Sequence, residues 1–206
     1  MRLSARAILF DMDGTLVNSD GAVRRIWTNF AERFGLDVDE IQKTSHGVKM
    51  SETIRRWAPA EIDEFALEAE LQAIELADRD GIEPVPGAAA FLASLPADRV
   101  ALVTSATAPL ARMRMEICGL PMPSVLVTAE DVTVGKPDPE CYRLAASRLG
   151  VDASDCIVVE DAEAGISAGL AAGATVVVVG EWASAATEGL VRLRDYRGIQ
   201  DLVDLL

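Results

Sequence analysis

The chain has 206 residues, half of them apolar and a quarter charged, and its formal net charge is −14. This composition is typical of a soluble globular protein, with enough chain for one sizeable core or for a core domain and a small satellite. This negative charge argues against nucleic acids and anionic membranes as partners, because both bind basic protein surfaces.

The three cysteines, Cys118, Cys141 and Cys156, are odd in number and widely spaced in apolar surroundings. We expect buried thiols in a reducing compartment and neither disulfides nor a zinc site. No segment reaches membrane-spanning length, and the first ten residues begin a strand too early for a cleaved signal peptide. The expected location is therefore the cytoplasm.

The first predicted element is a short buried strand, Ala7–Phe10, which is followed at once by Asp11 and Asp13. Because strand side chains alternate, both carboxylates are expected on the same side as the chain leaves the sheet. Gly14 permits the tight turn that comes next. Two adjacent acids repel each other, so the pair indicates a cation, a proton or a chemical role.

Residues 20–80 show helical spacing and no convincing strand, which predicts a small all-α unit. The expected helices are one with N-cap candidates at 18–20 and a C-cap at Gly35, one from Val38, one capped by Ser51 that runs to Trp57, and an acidic one over 60–80. The Pro- and Gly-rich segment 81–87 then interrupts the helical pattern and is the clearest linker.

Beyond the linker, apolar strands alternate with capped helices, and this alternation implies an α/β fold with a parallel sheet covered on both faces. Strands are predicted at 100–104, 125–128, 157–160 and 175–179, and helices at 88–95, 109–119, 139–150 and 163–172. The last 25 residues are expected to hold a weak helix and a terminal helical piece at 199–206. Because helices separate the first strand from the second, the predicted core domain is 1–17 and 84–206, and 18–83 is an insertion.

Ligands of parallel α/β sheets bind at the carboxyl ends of the strands. Counted from Ala7–Phe10, the second predicted strand ends at Thr104 and Ser105, and the fourth ends at Glu160 and Asp161. Lys136 lies in a Gly-Lys-Pro loop. The carboxylates are suited to a hard divalent cation, for which Mg²⁺ is the best candidate. Lys136 and Thr104, with backbone amides near Ser105, are suited to neutralise phosphoryl oxygens, so this pattern predicts phosphoryl transfer.

Four motifs in this order carry a family resemblance. They are Asp11-Met-Asp-Gly-Thr15, Thr104, Gly135-Lys136-Pro137 and Glu160-Asp161-Ala-x-Ala-Gly-Ile. Together they resemble the haloacid dehalogenase superfamily of aspartate-nucleophile phosphatases, over essentially the whole chain. The resemblance implies a Rossmann-like core, with the insertion 18–83 in the place of the superfamily's helical cap. It is greatest for sugar-phosphate, hexitol-phosphate and glycerol-phosphate phosphatases, so the implied partner is a small phosphorylated metabolite.

The resemblance also implies roles for individual residues. Asp11 would attack phosphorus and become an aspartyl-phosphate, while Asp13 would protonate the leaving alkoxide and then activate water. The carboxylates of Asp11 and Asp161 and the backbone carbonyl of Asp13 would hold Mg²⁺, and Glu160 would bind it through water or orient its ligands. Asp13 argues against dehalogenation, because a halide leaves without a proton.

The cap contributes two further candidates. His46 is the only histidine and stands close to Lys49 in the segment 45–49. A lone histidine is usually a turn or packing residue, whereas the corresponding segment of relatives faces the active site, so substrate contact by His46 and Lys49 is left open. Hinges near 16–18 and 81–87 are expected to open for substrate and close to exclude water. Members like this are often monomers, and a monomer is expected.

Other functions are considered as alternatives. A β-phosphoglucomutase-like phosphotransferase would carry a hinge histidine twelve residues after the nucleophile and an arginine in the cap loop, but Val23 and Met50 occupy those places. A phospho-receiver signalling domain is more distant, because its phosphorylated aspartate follows the third strand and no helical insert interrupts its sheet. A catalytically inactive scaffold is disfavoured, since no catalytic position is substituted. The sequence therefore favours hydrolysis.

Overall fold

A computed structural model of the protein describes residues 3–181, 187–197, 199 and 203–205. The strands are β1 Leu3–Ala5, β2 Ala7–Phe10, β3 Val17–Asn18, β4 Glu83–Pro84, β5 Val100–Val103, β6 Val125–Val127, β7 Cys156–Glu160, β8 Thr175–Val179, β9 Val191–Leu193 and β10 Val203–Leu205. The α-helices are α1 Asp20–Phe34, α2 Val38–Ser45, α3 Met50–Trp57, α4 Glu64–Ala77, α5 Ala88–Ser94, α6 Ala108–Ile117, α7 Glu140–Arg148 and α8 Glu163–Ala172.

A six-stranded parallel sheet forms the centre of the core domain, in the order β6-β5-β2-β7-β8-β9. Strand β2 lies inside the sheet and pairs with β5 on one side and β7 on the other. Its side chains alternate between two hydrophobic clusters, with Ile8 and Phe10 in one and Ala7 and Leu9 in the other. Burial on both faces explains why β2 is a continuous apolar run. The predicted α/β class with a parallel sheet is confirmed.

Helices α1 to α4 make up the inserted segment and pack around a hydrophobic cluster of their own. The two connections between this cap and the core run side by side, because β3 and β4 form an antiparallel pair with Val17 opposite Pro84. The predicted hinge near 16–18 therefore contains β3, the hinge at 81–87 contains β4, and the two strands pair with each other. The predicted boundaries between residues 17 and 18 and between 83 and 84 fall within this pair of strands.

The predicted terminal helix at 199–206 is wrong where the structure describes it, since β10 is a strand that pairs in parallel with β1. The weak helix expected before it is replaced, over Val191–Leu193, by β9 at the edge of the sheet; the segment 182–186 lies outside the described residues. In both cases an open strand edge offers backbone hydrogen bonds that outweigh a weak local helical preference.

Two predicted caps also differ from the structure. Helix α3 begins at Met50 with Lys49 as its N-cap, so Ser51 lies inside the first turn. Ser19 stands at the N-cap of α1 but makes no side-chain capping bond, because its hydroxyl donates to Asp13 instead. The C-cap at Gly35 is as predicted, and Gly173 ends the helix predicted at 163–172; both glycines have positive φ.

Cys118, Cys141 and Cys156 are free and buried, as predicted. Burial raises the pKa of each of these thiols to about 11, which keeps them protonated and unreactive at neutral pH. Within the described ranges, no helix has both the length and the apolar character needed to cross a bilayer.

Candidate active site

Asp11 leaves the sheet at the end of β2, between two neighbouring strands, and its side chain is buried. The chain then turns tightly, with the amide of Gly14 bonded to the carbonyl of Val17. Gly14 has a φ of 84°, and a Cβ built on it would lie 2.0 Å from Oδ2 of Asp161. A glycine is required here, because it alone allows both the positive φ and the close approach of the turn to Asp161.

Lys136 is buried beside the first carboxylate. Its Nζ lies 2.6 Å from Oδ1 of Asp11 and 2.8 Å from Oε1 of Glu160, and it also donates to the carbonyl of Val103 at 3.1 Å. Burial lowers the pKa of Lys136, but attraction to the Asp11 and Glu160 carboxylates outweighs it and keeps the pKa above the ordinary value. The ammonium group is therefore a permanent positive charge in the site.

Both oxygens of Glu160 are occupied by two donors each. Oε1 accepts from Lys136 and from the hydroxyl of Tyr142, at 2.8 and 2.7 Å. Oε2 accepts from the backbone amides of Asp161 and Ala162, at 3.0 and 3.2 Å. Such a saturated carboxylate suits the orienting role considered for Glu160 better than direct coordination of a metal.

Helix α8 makes room for this carboxylate at Gly165, since a Cβ there would lie 1.5 Å from Oε1 of Glu160. Sequence reasoning gave no role to Gly165 or to Tyr142, although Gly165 belongs to the motif that begins at Glu160. A glycine inside a helix is the sequence signal for such a close approach.

Asp11, Glu160 and Asp161 bring carboxylate oxygens to within 4.8 Å of one another. Burial, followed by repulsion from the neighbouring carboxylates, raises the pKa of Asp11 and Asp161 well above the ordinary value. Thr15 donates to Oδ1 of Asp161 at 3.0 Å. A hard divalent cation fits this cluster for two reasons. It would relieve the repulsion between the buried carboxylates, and it prefers oxygen ligands, which are the ones they offer.

The carboxylate of Asp13 is not part of that cluster. Its Oδ1 accepts a hydrogen bond from the hydroxyl of Ser19 at 2.6 Å and from Nη1 of Arg114 at 2.7 Å. Arg114 in turn donates from Nη2 to Oε1 of Glu75 in the cap, at 2.8 Å. Sequence reasoning missed Ser19, Arg114 and Glu75, and the one available signal was a charged residue between two methionines in α6.

Thr104 and Ser105 follow β5 and line the same cavity as Asp11 and Asp13, which has a volume of about 90 Å³. The Thr104 hydroxyl accepts from the amide of Ala106 at 3.0 Å, so it also stabilises its own turn. Ser105 donates to the carbonyl of a cap residue, Gly47, at 2.7 Å. The other lining residues come largely from the cap and include Val23, Trp27, His46, Met50 and Glu75.

The two cap candidates occupy different places. His46 lines the cavity, and its Nε2 lies 3.9 Å from Oδ2 of Asp161. Lys49 is buried away from the cavity lining and donates to the carbonyl of Val132 at 2.6 Å. The structure therefore brings together Asp11, Asp13, Thr104, Ser105, Lys136, Glu160, Asp161 and His46, and it places Lys49 at a contact between cap and core.

Three known proteins illustrate what this chain is similar to. Hexitol phosphatase A of Escherichia coli K12 is 44% identical over 181 residues, which cover 86% of this chain and 84% of that protein. Glycerol-1-phosphate phosphohydrolase 1 of Saccharomyces cerevisiae is 34% identical over 189 residues, which cover 86% and 75%. The crystal structure of CbbY from Rhodobacter sphaeroides in complex with phosphate superposes with a TM-score of 0.80 at 25% identity, over 95% of this chain and 96% of that one.

The family model of the haloacid dehalogenase-like hydrolases matches residues 5–173, which contain every predicted site residue. The two curated relatives described above are both named as enzymes that remove phosphate. The predicted resemblance and enzyme class are therefore confirmed, and the chain belongs to the haloacid dehalogenase-like hydrolase family.

Proposed function

We propose that this hydrolase is a Mg²⁺-dependent phosphatase that acts on a small sugar or polyol phosphate through an aspartyl-phosphate on Asp11. The observation that carries the proposal is the position of Asp11 at the end of β2, where it is bonded to Lys136 at 2.6 Å and clustered with the carboxylates of Glu160 and Asp161. The names of the relatives, which are a hexitol phosphatase and a glycerol-phosphate phosphohydrolase, support the substrate class.

In the first step a carboxylate oxygen of Asp11 bonds to phosphorus while the bond from phosphorus to the substrate alcohol oxygen breaks. Asp13 gives its proton to the departing alkoxide. In the second step Asp13 takes a proton from water, the water oxygen bonds to phosphorus, and the bond to Asp11 breaks to release inorganic phosphate. Lys136 holds the Asp11 carboxylate and keeps a positive charge beside the transferred group.

Asp11, Asp161 and the backbone carbonyl of Asp13 would hold Mg²⁺, with Glu160 orienting them. When bound, Mg²⁺ supplies positive charge that lets the anionic ester approach an acidic site. Thr104 and Ser105 are proposed to bind phosphoryl oxygens. Their place in the cavity lining supports this role.

His46 is proposed to contact the substrate, because it lines the cavity from the cap side. Lys49 is also proposed as a substrate contact, although its ammonium group donates to the carbonyl of Val132 in this structure. We further propose a monomer in the cytoplasm, with no nucleic acid or membrane as a partner. The buried free thiols support the cytoplasmic location. The net charge of −14 supports the exclusion of nucleic acids and membranes as partners.

The test is a phosphate-release screen of the wild type over hexitol, glycerol, sugar and nucleotide monophosphates, with Mg²⁺ and with EDTA. Asp11→Asn should lose turnover and should form no phosphoenzyme in rapid-quench mass spectrometry, because an amide is a poor nucleophile. Asp98→Asn, at an exposed aspartate, is the matched control. Retained turnover in Asp11→Asn would contradict the nucleophile, and predominant conversion of glucose-1-phosphate to glucose-6-phosphate would favour the mutase alternative.

A further inference from the structure

Arg114 is a cationic side chain buried in the middle of α6, with only 2% of its surface exposed. Its chain neighbours Met113 and Met115 are also buried. An arginine in such surroundings is costly unless its charge is paired and its donors are bonded. Two carboxylates supply that pairing, and they come from different parts of the molecule: Asp13 from the loop after β2, and Glu75 from α4 of the cap.

On the active-site side, both donors to Asp13 reach the same oxygen. Ser19 and Arg114 each donate to Oδ1, at 2.6 and 2.7 Å. Two bonds to one oxygen hold the direction of the carboxyl group, and the positive charge of Arg114 strengthens its bond to Oδ1. Neither bond uses Oδ2, which is therefore the oxygen left to give and take the proton.

On the cap side, Nη2 of Arg114 donates to Glu75, whose side chain is itself largely buried. A guanidinium group is a rigid planar fork, so an acceptor that holds one of its nitrogens also directs the other. Glu75 thus orients the branch of Arg114 that reaches Asp13. This connection exists only while α4 lies against α6.

We propose that Arg114 is a positioning residue for the proton-transfer group Asp13, and that Glu75 makes this positioning depend on docking of the cap. The inference rests on the proposed phosphatase function. With the cap docked, Asp13 is aligned to protonate the leaving group. With the cap lifted, Arg114 loses one of its two carboxylate partners and Asp13 loses its fixed orientation, so proton transfer is restricted to the state that excludes water.

The test compares two kinds of ester. Glycerol-1-phosphate and hexitol phosphates release an alkoxide that needs a proton, whereas p-nitrophenyl phosphate releases a phenolate that is stable without one. The readout is the rate of the first step, measured as the burst of alcohol or p-nitrophenolate in a single turnover, because hydrolysis of the phosphoenzyme uses Asp13 for both esters. Arg114→Met should lower this rate for the alkyl esters by about 100-fold and for p-nitrophenyl phosphate by no more than about 3-fold, with substrate affinity little changed. Glu75→Gln, which keeps an acceptor oxygen, should lower the alkyl-ester rate by about 10-fold with the same selectivity.

Arg112→Met is the matched control, because Arg112 lies on the same helix with its side chain exposed. It should leave both rates unchanged. Equal losses of the first-step rate on both esters in Arg114→Met, or a loss confined to substrate affinity, would overturn the proposal in favour of a structural or substrate-binding role.

If Arg114→Met does not fold, as judged by circular dichroism, Glu75→Gln and Ser19→Ala decide the question. A selective loss on alkyl esters supports the proposal, and an unchanged ratio between the two esters overturns it. Failure of the proposed function would look different, since the wild type would then release no phosphate from either ester, or Asp11→Asn would keep its turnover.

Discussion

Nζ of Lys136 lies 2.6 Å from Oδ1 of Asp11, so the proposed nucleophile is bonded to a buried cation. The same ammonium group contacts Glu160 at 2.8 Å and lies 5.2 Å from the centre of the Tyr142 ring. Its loop thus places a positive charge at the base of a carboxylate cluster. Without that charge, Asp11 and Glu160 would repel each other in a buried setting.

Lys136→Met should therefore destabilise the protein and abolish most activity. Removing one partner of a buried ion pair leaves uncompensated charge, and we expect the free energy of unfolding in EDTA to fall by about 3 kcal/mol. Saturating Mg²⁺ should restore part of that loss, because it would neutralise the same carboxylates. Urea unfolding with EDTA and with Mg²⁺ measures both effects. Lys43→Met, at an exposed cap lysine, should show neither, and equal stability of the two variants would contradict the prediction.

Asp161→Asn should change how stability depends on pH. Burial, then repulsion from Glu160 and Asp11, raises the pKa of Asp161 above its ordinary value of 3.8. A carboxyl whose pKa is raised in the folded state contributes stability below the unfolded pKa and loses it as pH rises through the folded pKa. In EDTA the variant should therefore gain stability relative to the wild type as pH increases above 3.8.

Urea unfolding of both proteins at about pH 5 and about pH 8 measures this difference. With Mg²⁺ present the order should reverse, because the wild type gains binding energy from the cluster and the variant has lost one ligand. Asp98→Asn is exposed and should follow the wild type at both pH values. A constant difference between Asp161→Asn and the wild type would contradict the prediction.

The meeting of the strand-end residues could be predicted because it depends on one rule, the shared edge at which parallel strands end. The apolar run of β2 and the change from helical to alternating elements were enough to place Asp11, Thr104 and Asp161 on that edge. Only local patterns and strand direction are needed for such an inference. The sheet and the residues at its strand ends can therefore be predicted from the sequence.

The contacts of Arg114 with Asp13 and Glu75 could not be predicted, because they depend on how the cap docks on the core. Asp13 and Arg114 are 101 positions apart, and Glu75 lies on α4 of the inserted segment. Local sequence does not distinguish a buried arginine from an exposed one. The pairing of β1 with β10 joins opposite ends of the chain, and three-residue strands carry too little local preference to indicate it.

Gly165→Ala should disturb the site from inside helix α8. The added methyl would lie 1.5 Å from Oε1 of Glu160, so the carboxylate or the helix must move. We expect a loss of about 2 kcal/mol in the free energy of unfolding and a weaker response of activity to Mg²⁺, because Glu160 can no longer orient the metal ligands. Thermal unfolding and Mg²⁺ titration of phosphate release measure these effects.

Gly21→Ala is the matched control, as Gly21 is also helical and a Cβ there meets only the end of the Arg25 side chain, at 3.3 Å. It should be neutral or more stable by up to about 1 kcal/mol, because alanine is the better helix former. If the two variants behaved alike, close packing of Gly165 against Glu160 would not be the cause.

Glu52→Ala should weaken docking of the cap on the core. Oε1 of Glu52 on α3 accepts from the amide of Gly135 at 2.9 Å, directly beside Lys136. One turn earlier, Lys49 donates to the carbonyl of Val132. The first turn of α3 thus binds the loop that positions Lys136, and loss of a hydrogen bond to a charged acceptor costs about 1.5 kcal/mol, or about tenfold in a binding constant.

KM for the preferred substrate should therefore rise about tenfold in Glu52→Ala, with a smaller change in kcat, because the chemistry uses residues of the core. Small-angle scattering with and without a phosphate analogue should show a larger shift on binding than in the wild type, since the free variant begins from a more open state. Glu52→Gln retains an acceptor oxygen and should stay close to the wild type in both measurements. A Glu52→Ala variant with unchanged KM and scattering would mean that other contacts, such as Ser105 with Gly47, suffice to dock the cap.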